Sequence, residues 1–216
     1  MLSEMKAALF DLDGVIVDTA KYHYLAWKRL ADELGAPFGE KDNLRLKGVG
    51  RMRCMDIILE LGGLSMAEAE KERQAARKNA WYVEYVSAIG RDEILPGAEA
   101  YLESLRERGL GIALGSASRN APLILKRLGL AGLFDAVIDG TIVSRSKPDP
   151  EIFLAGAAAL GTEPGSCAVF EDSEAGIEAA KRGGMYAVGI GAPEELRGAD
   201  MVVRGLYELA PAARID

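Results

Sequence analysis

The chain has 216 residues, 49% of them hydrophobic and 27% charged, and carries a formal net charge of −7. That length suits one large domain or a core with a smaller insert, and that composition suits a substantial core under an ordinary surface. The acidic balance argues against a nucleic-acid or membrane-surface partner, since both reward a basic face, but leaves room for an anionic small molecule at a locally positive site.

In chain order, the first predicted element is a buried strand, "KAALF" (6–10), which runs directly into "DLDG". The N-terminus reaches Asp11 too early for the apolar region of a signal peptide, and no run approaches the ~18 apolar residues of a membrane span. A cytoplasmic location follows as the default. Residues 20–90 contain no convincing strand: "AKYHYLAWKRLADELG", "RMRCMDIILELGG" and "SMAEAEKERQAARKNAWYVEYVSAIG" all have helical spacing. Beyond them, short apolar runs at 111–116, 134–139, 166–172, 185–190 and 200–203 read as buried strands. Amphipathic stretches at 97–109, 120–130, 150–161 and 173–184 read as the helices between them. Strand–helix alternation predicts a parallel sheet covered on both faces. The expected fold class is α/β, a doubly wound, Rossmann-like core with an inserted helical cap. Residues 1–15 and 94–216 would form the core and 16–93 the cap. The two cysteines, Cys54 and Cys167, are far apart and read as reduced thiols.

Ligands of a doubly wound sheet bind beyond the carboxyl ends of its strands. Four predicted ends carry polar residues: Asp11 and Asp13, then Ser116 and Ser118, then Lys147 in "VSRSKPDP", then Glu171 and Asp172. Each piece alone has an ordinary explanation: a turn, a helix cap, a surface lysine. Together they would set four carboxylates at one rim, which Lys147 alone does not balance. A hard divalent cation held by oxygens would, and Mg²⁺ favours few carboxylates plus substrate phosphate oxygens. A phosphate would also use Ser116, Ser118, backbone N–H groups and Lys147. This is a site for phosphoryl transfer. An aspartate can take the phosphoryl group, and a second carboxylate can protonate the leaving oxygen. Asp11 would be the nucleophile and Asp13 the acid/base, with Gly14 permitting the chain to leave strand geometry.

The four motifs, "DLDG", "GSAS", "SKPDP" and "FEDSEAG", resemble in order those of the haloacid-dehalogenase-like phosphotransferase superfamily, and the likeness spans the whole chain. The helical insert resembles that of the small helical-cap subfamily, which includes phosphatases and a sugar-phosphate mutase. "FDLDGVIVDTAKYHYLAWKRLADELG", "LKGVGR", "RKN", "SASRNAP" and "EDSEAGI" are similar to the mutase. That resemblance implies interconversion of β-D-glucose 1-phosphate and β-D-glucose 6-phosphate through a β-glucose 1,6-bisphosphate. It implies that Asp11, the backbone carbonyl of Asp13 and Asp172 bind Mg²⁺, with Glu171 close by. Thr19 and His23 would support the positioning of Asp13. On the cap, Gly48, Val49, Arg51, Lys78 and Asn79 match substrate contacts, with Trp27 as a further contact. On the core, Ser116, Ala117, Ser118, Arg119, Asn120 and Lys147 do so.

Arg51 would grip the distal phosphate as a bidentate fork, although Arg53 stands two residues away and the choice between them rests on the alignment. Trp27 and Trp81 also fit a cap core. Gly50 gives the cap loop freedom where a small polar residue would serve. The partner expected is a small sugar phosphate, acted on by a monomer. Two other readings stay open: a sugar-phosphate phosphatase on the same scaffold, and a non-catalytic phosphosugar sensor, against which the set Asp11, Asp13, Lys147 and Asp172 speaks.

Overall fold

A computed structural model describes residues 2–46 and 49–211. Strand β1 (Ala7–Phe10) is followed by four helices, α1 (Ala20–Leu34), α2 (Glu40–Asn43), α3 (Arg51–Gly62) and α4 (Glu68–Ser87). The alternating half then runs α5 (Ala98–Glu107), β2 (Gly111–Gly115), α6 (Ala121–Leu128), β3 (Ala136–Ile138), α7 (Glu151–Ala159), β4 (Cys167–Glu171), α8 (Glu174–Arg182), β5 (Tyr186–Ile190) and β6 (Met201–Val203). The strands form one parallel sheet in the order β3-β2-β1-β4-β5-β6. Both faces are covered, which is why the strands read as unbroken apolar runs. Ala8 and Phe10 face a layer that includes Leu102, Leu105 and Ile124, whereas Ala7 and Leu9 face one that includes Phe153, Ala157 and Ile177. This is the expected doubly wound α/β class.

Register is what brings the strand ends together. Phe10 lies opposite both Leu114 and Phe170, and the Phe10 and Phe170 rings stack at 4.5 Å. The next residues, Asp11, Gly115 and Glu171, therefore emerge level with one another. The inserted helices have their own apolar cluster around Trp27, Leu30, Met55 and Ile58. Helix α4 also reaches the sheet side, where Tyr82 and Val86 pack with the core layer. Helix α2 was not expected, because four residues are too few to show a period; the Asp42 carboxylate caps it by accepting from the Gly39 N–H at 3.0 Å. Cys54 is buried among the inserted helices and Cys167 at the start of β4. No helix among the described residues is long and apolar enough to cross a membrane.

Candidate active site

A cleft of about 610 Å³ opens at the carboxyl ends of β1, β2 and β3 and is roofed by the inserted helices. Its floor is Asp11, buried to 7% exposure, whose Oδ1 accepts from Lys147 Nζ at 2.5 Å. Lys147 also donates to Glu171 Oε1. Burial opposes the Lys147 ammonium, but Asp11 and Glu171 outweigh it and lift its pKa above the usual lysine range. Burial pushes the Asp11 carboxyl well up; Lys147 opposes this, while Glu171, Asp172 and Asp13 add to it. The floor therefore has more carboxylate than one lysine balances.

The carboxylate oxygens of Asp11, Glu171 and Asp172 approach within 4.8 Å of one another, an all-oxygen set able to hold a metal ion. Two of the three are buried, and oxygen donors suit a hard cation. The residues present thus fit a hard divalent metal ion. Asp172 lies against Gly14: a Cβ there would fall 2.1 Å from Asp172 Oδ2, and Gly14 has φ +79°. The glycine both turns the chain and leaves room for the carboxylate.

Asp13 stands apart from that cluster. Its carboxylate accepts from Thr19 Oγ1, which itself accepts from Tyr82 Oη at 3.1 Å. Burial raises the Asp13 pKa to about 6, with the Thr19 hydrogen bond opposing. Thr19 is fully buried and immediately precedes α1. One turn on, His23 stacks on Tyr82 at 3.9 Å, and its Nδ1 lies 2.8 Å from Lys78 Nζ. Burial first, then Lys78 and Arg51, hold His23 well below its ordinary range. The two groups share one hydrogen bond, whichever ring nitrogen carries the proton. Lys78 is 3% exposed, over the rings of Trp27 (4.6 Å) and Tyr82 (4.8 Å), and burial lowers its pKa to about 7. Trp27 borders the cleft but is mostly cap core, at 3% exposure.

A second cationic group lines the cleft. Arg51 Nη2 donates to Asn79 Oδ1 at 2.8 Å, and Asn120 Nδ2 donates to the same oxygen at 2.9 Å. Burial, then the charge of Arg119, depresses the Arg51 guanidinium. Arg119 is positioned by the Gly140 carbonyl, to which its Nε donates at 3.2 Å. Val49, Ala117 and Ser118 complete this stretch of wall, and Ser116 Oγ accepts from the Ser118 N–H at 3.2 Å. Arg53 also lines the cleft, but its guanidinium pairs with Glu60 at 2.6 Å within α3. Gly48 lies outside the described residues. The expected loop freedom at Gly50 takes another form: a Cβ there would fall 2.5 Å from Ser146 Oγ, so the missing side chain serves close approach of cap to core.

Three contributors escaped the sequence reading. Tyr82 bonds Thr19, and its signal was its place one turn after Lys78 on α4. Ser173 caps α8, accepting from the Gly176 N–H at 3.1 Å, and its own N–H and hydroxyl bond Glu171 Oε2 at 2.9 and 2.8 Å. Gly176 is where a Cβ would fall 1.9 Å from Glu171 Cδ. No sequence signal marks that contact.

The haloacid dehalogenase-like hydrolase family matches residues 5–184. The beta-phosphoglucomutase of Bacillus subtilis (strain 168) is 46% identical over 207 residues, 95% of this chain and 92% of that protein. A phosphorylated carbohydrates phosphatase of Thermotoga maritima is 34% identical, over 85% of this chain and 84% of that one. Among solved structures, beta-phosphoglucomutase from Clostridium difficile is 42% identical and superposes with a TM-score of 0.93, covering 95% of this chain and 93% of that one.

Proposed function

The chain is an enzyme of the haloacid dehalogenase-like hydrolase family, and from that premise we propose that it is a mutase. It interconverts β-D-glucose 1-phosphate and β-D-glucose 6-phosphate through a phosphorylated Asp11 and a β-glucose 1,6-bisphosphate. The observation that carries this reading is a second cationic group in the cleft. Besides the Asp11–Lys147 pair, the cleft is lined by Arg51 and Arg119. A monophosphate hydrolase needs only the first group, whereas a bisphosphate needs both. The likeness to the Bacillus and Clostridium mutases supports it further.

An Asp11 oxygen forms the bond to phosphorus while the bond from phosphorus to the sugar oxygen breaks; that oxygen takes its proton from Asp13. In the return step Asp13 removes the proton of the acceptor hydroxyl, which attacks the phosphoryl group and releases Asp11. Thr19 holds the Asp13 carboxylate, and His23 with Lys78 supports the helix start that carries Thr19. Ser116, the nearby backbone N–H groups and Lys147 bind the phosphate being transferred. Asp11, Asp172 and the backbone carbonyl of Asp13 would hold Mg²⁺. Glu171 serves beside them, its oxygens already engaged by Lys147 and Ser173. When bound, Mg²⁺ neutralises the charge that the phosphoryl group and the carboxylates bring together.

Arg51, Arg119, Asn79 and Asn120 take the phosphate at the sugar's other end, beside Val49, Ala117 and Ser118, with Trp27 flanking the sugar. Residues 16–93 act as a cap over the core formed by 1–15 and 94–216, excluding water from phosphorylated Asp11. Every group invoked lies on this chain, so the reaction as proposed needs no second subunit. The deciding experiment is incubation with β-glucose 1-phosphate, Mg²⁺ and a trace of the bisphosphate. Glucose 6-phosphate is the expected product; free phosphate and glucose instead would make the enzyme a phosphatase, as the Thermotoga relative is named.

A further inference from the structure

Lys147 is the buried member of an exposed stretch. It is 5% exposed, while Ser144, Arg145, Ser146 and Pro148 around it face solvent. The stretch belongs to the loop 139–150 between β3 and α7, and Ser144, Arg145 and Ser146 also line the cleft. An exposed loop has little packing of its own with which to fix a side chain. This one nevertheless sets an ammonium 2.5 Å from Asp11 Oδ1.

The groups that tie the loop down sit at the start of α7. Its first residue, Glu151, turns its carboxylate back onto the loop. Oε2 accepts from the Arg145 N–H at 2.8 Å and from Arg145 Nε at 3.3 Å, and Oε1 accepts from the Ser144 N–H at 3.1 Å. The Ser144 hydroxyl lies 3.2 and 3.1 Å from the two oxygens. The Ser144 N–H does most to hold the Glu151 carboxyl below the usual carboxylate range, and the Arg145 donors add to this. Asp149 braces the same turn. Its Oδ1 accepts from the Glu151 N–H at 3.0 Å, its Oδ2 lies 3.1 Å from Arg145 Nη1, and its own N–H donates to the Ser146 carbonyl at 3.0 Å. Two residues beyond Glu151, Phe153 is fully buried, with its ring centre 4.9 Å from Lys147 Nζ. An exposed ion pair by itself would fix little. A carboxylate that accepts from two successive backbone N–H groups fixes the peptide itself, and a helix N-terminus favours its charge. Glu151 and Phe153 share one helix, so the anchor of the loop and the ring beside the lysine keep one register.

We propose that Glu151 is a positioning residue, which holds the peptide of Ser144 and Arg145 on α7 and thereby keeps Lys147 against Asp11. It touches none of the reacting groups and acts through Lys147. The effect on phosphoryl uptake rests on Asp11 being the nucleophile; the hold on Lys147 does not.

Two measurements on the full-length protein, both at saturating Mg²⁺, test this in wild type, Glu151→Gln and Glu151→Ala. Nitrogen NMR follows exchange of the Lys147 ammonium protons with water, which should quicken by about tenfold in Glu151→Ala as the loop opens locally. The rate at which acetyl phosphate phosphorylates Asp11 should fall by about tenfold, because a displaced Lys147 no longer meets the incoming phosphoryl group. Glu151→Gln, which keeps an acceptor for one backbone N–H, should lie between the two in both measurements. Leu154→Ala, on the same helix, controls for a general loosening of α7 and should leave both at wild-type values. Wild-type exchange at Lys147 in both Glu151 variants overturns the anchor. Faster exchange with an unchanged rate of phosphorylation overturns the link from Glu151 to Asp11. Equal changes in Leu154→Ala reduce Glu151 to a helix-capping residue and also overturn the proposal. If acetyl phosphate does not phosphorylate wild type, the reading of Asp11 fails, and exchange at Lys147 alone decides the anchor. Should Glu151→Ala not fold, Glu151→Asp, whose shorter side chain retreats from the loop, gives the same two measurements.

Discussion

Asp11 sits where its carboxylate is costly, and the geometry around it explains why that cost is kept. Its Oδ1 meets Lys147 at 2.5 Å, and Asp172 and Glu171 lie beside it. In the proposed reaction Asp11 is the nucleophile, and none of these groups replaces it. Asp11→Asn should fold, lose phosphorylation by acetyl phosphate and lose turnover. Retention of more than about a tenth of the activity, only ~1.4 kcal/mol of barrier, would remove Asp11 from that role. Lys78 gives a second test, through stability. Burial lowers its pKa from 10.5 to about 7, so between these values the unfolded chain binds the proton and the folded one does not. Stability attributable to this group is therefore lowest below pH 7 and rises towards pH 10.5. Lys78→Met should raise Tm at pH 6 by several degrees, each kcal/mol being worth about 2–4 °C at this size, and flatten Tm between pH 7 and 10. Calorimetry without sugar phosphate reads both. A wild-type slope in the variant would mean that Lys78 stays charged.

At the scale of elements, the turn from β4 into α8 sets the floor of the cleft. Glu171 is the last residue of β4 and fully buried, and its acceptor oxygens are shared between Lys147 and the Ser173 cap. Helix α8 can start so close to it only because Gly176 presents no side chain. Gly176→Ala should cost about 1–3 kcal/mol, the usual penalty for overpacking a filled site. It should also weaken Mg²⁺ binding, since the displaced Glu171 carboxylate no longer fixes Lys147 against Asp11. Tm and titration calorimetry with Mg²⁺ check the two effects. Loss of stability with wild-type Mg²⁺ affinity would place Glu171 outside the metal's support.

Over the whole molecule, the inserted helices meet the sheet half in several places, and one of these is the Arg51 side of the cleft. Asn79 on α4 accepts from both Arg51 on α3 and Asn120, the residue that opens α6. Arg51→Ala removes a charge-assisted contact there and leaves Asp11 untouched. Phosphorylation by acetyl phosphate should therefore survive. Transfer to a sugar phosphate should slow, because binding at the far end aligns the acceptor hydroxyl. The ratio of hydrolysis to transfer should rise, measured with both fluxes at saturating Mg²⁺. An unchanged ratio with unchanged sugar-phosphate affinity would make Arg51 a bystander and take away the cap's support for the mutase reading.

The six strands and most helices were legible in the sequence, because a strand buried on both faces must be apolar throughout and a helix on the sheet must repeat its apolar residues every three to four positions. The candidate site residues were legible for a related reason: Asp11 follows a predicted strand, Ser116 and Asp172 close theirs, Lys147 lies in the loop after another, and parallel strands end at one rim. Helix α2 was too short to show a period. That Arg51 reaches Asn79, that Tyr82 completes the Thr19–Asp13 chain, and that Gly176 makes room for Glu171 were decided only by the tertiary structure. Those contacts join residues on different elements, such as Tyr82 and Thr19, 63 apart. No local spacing encodes a distance that depends on how the inserted helices dock on the sheet.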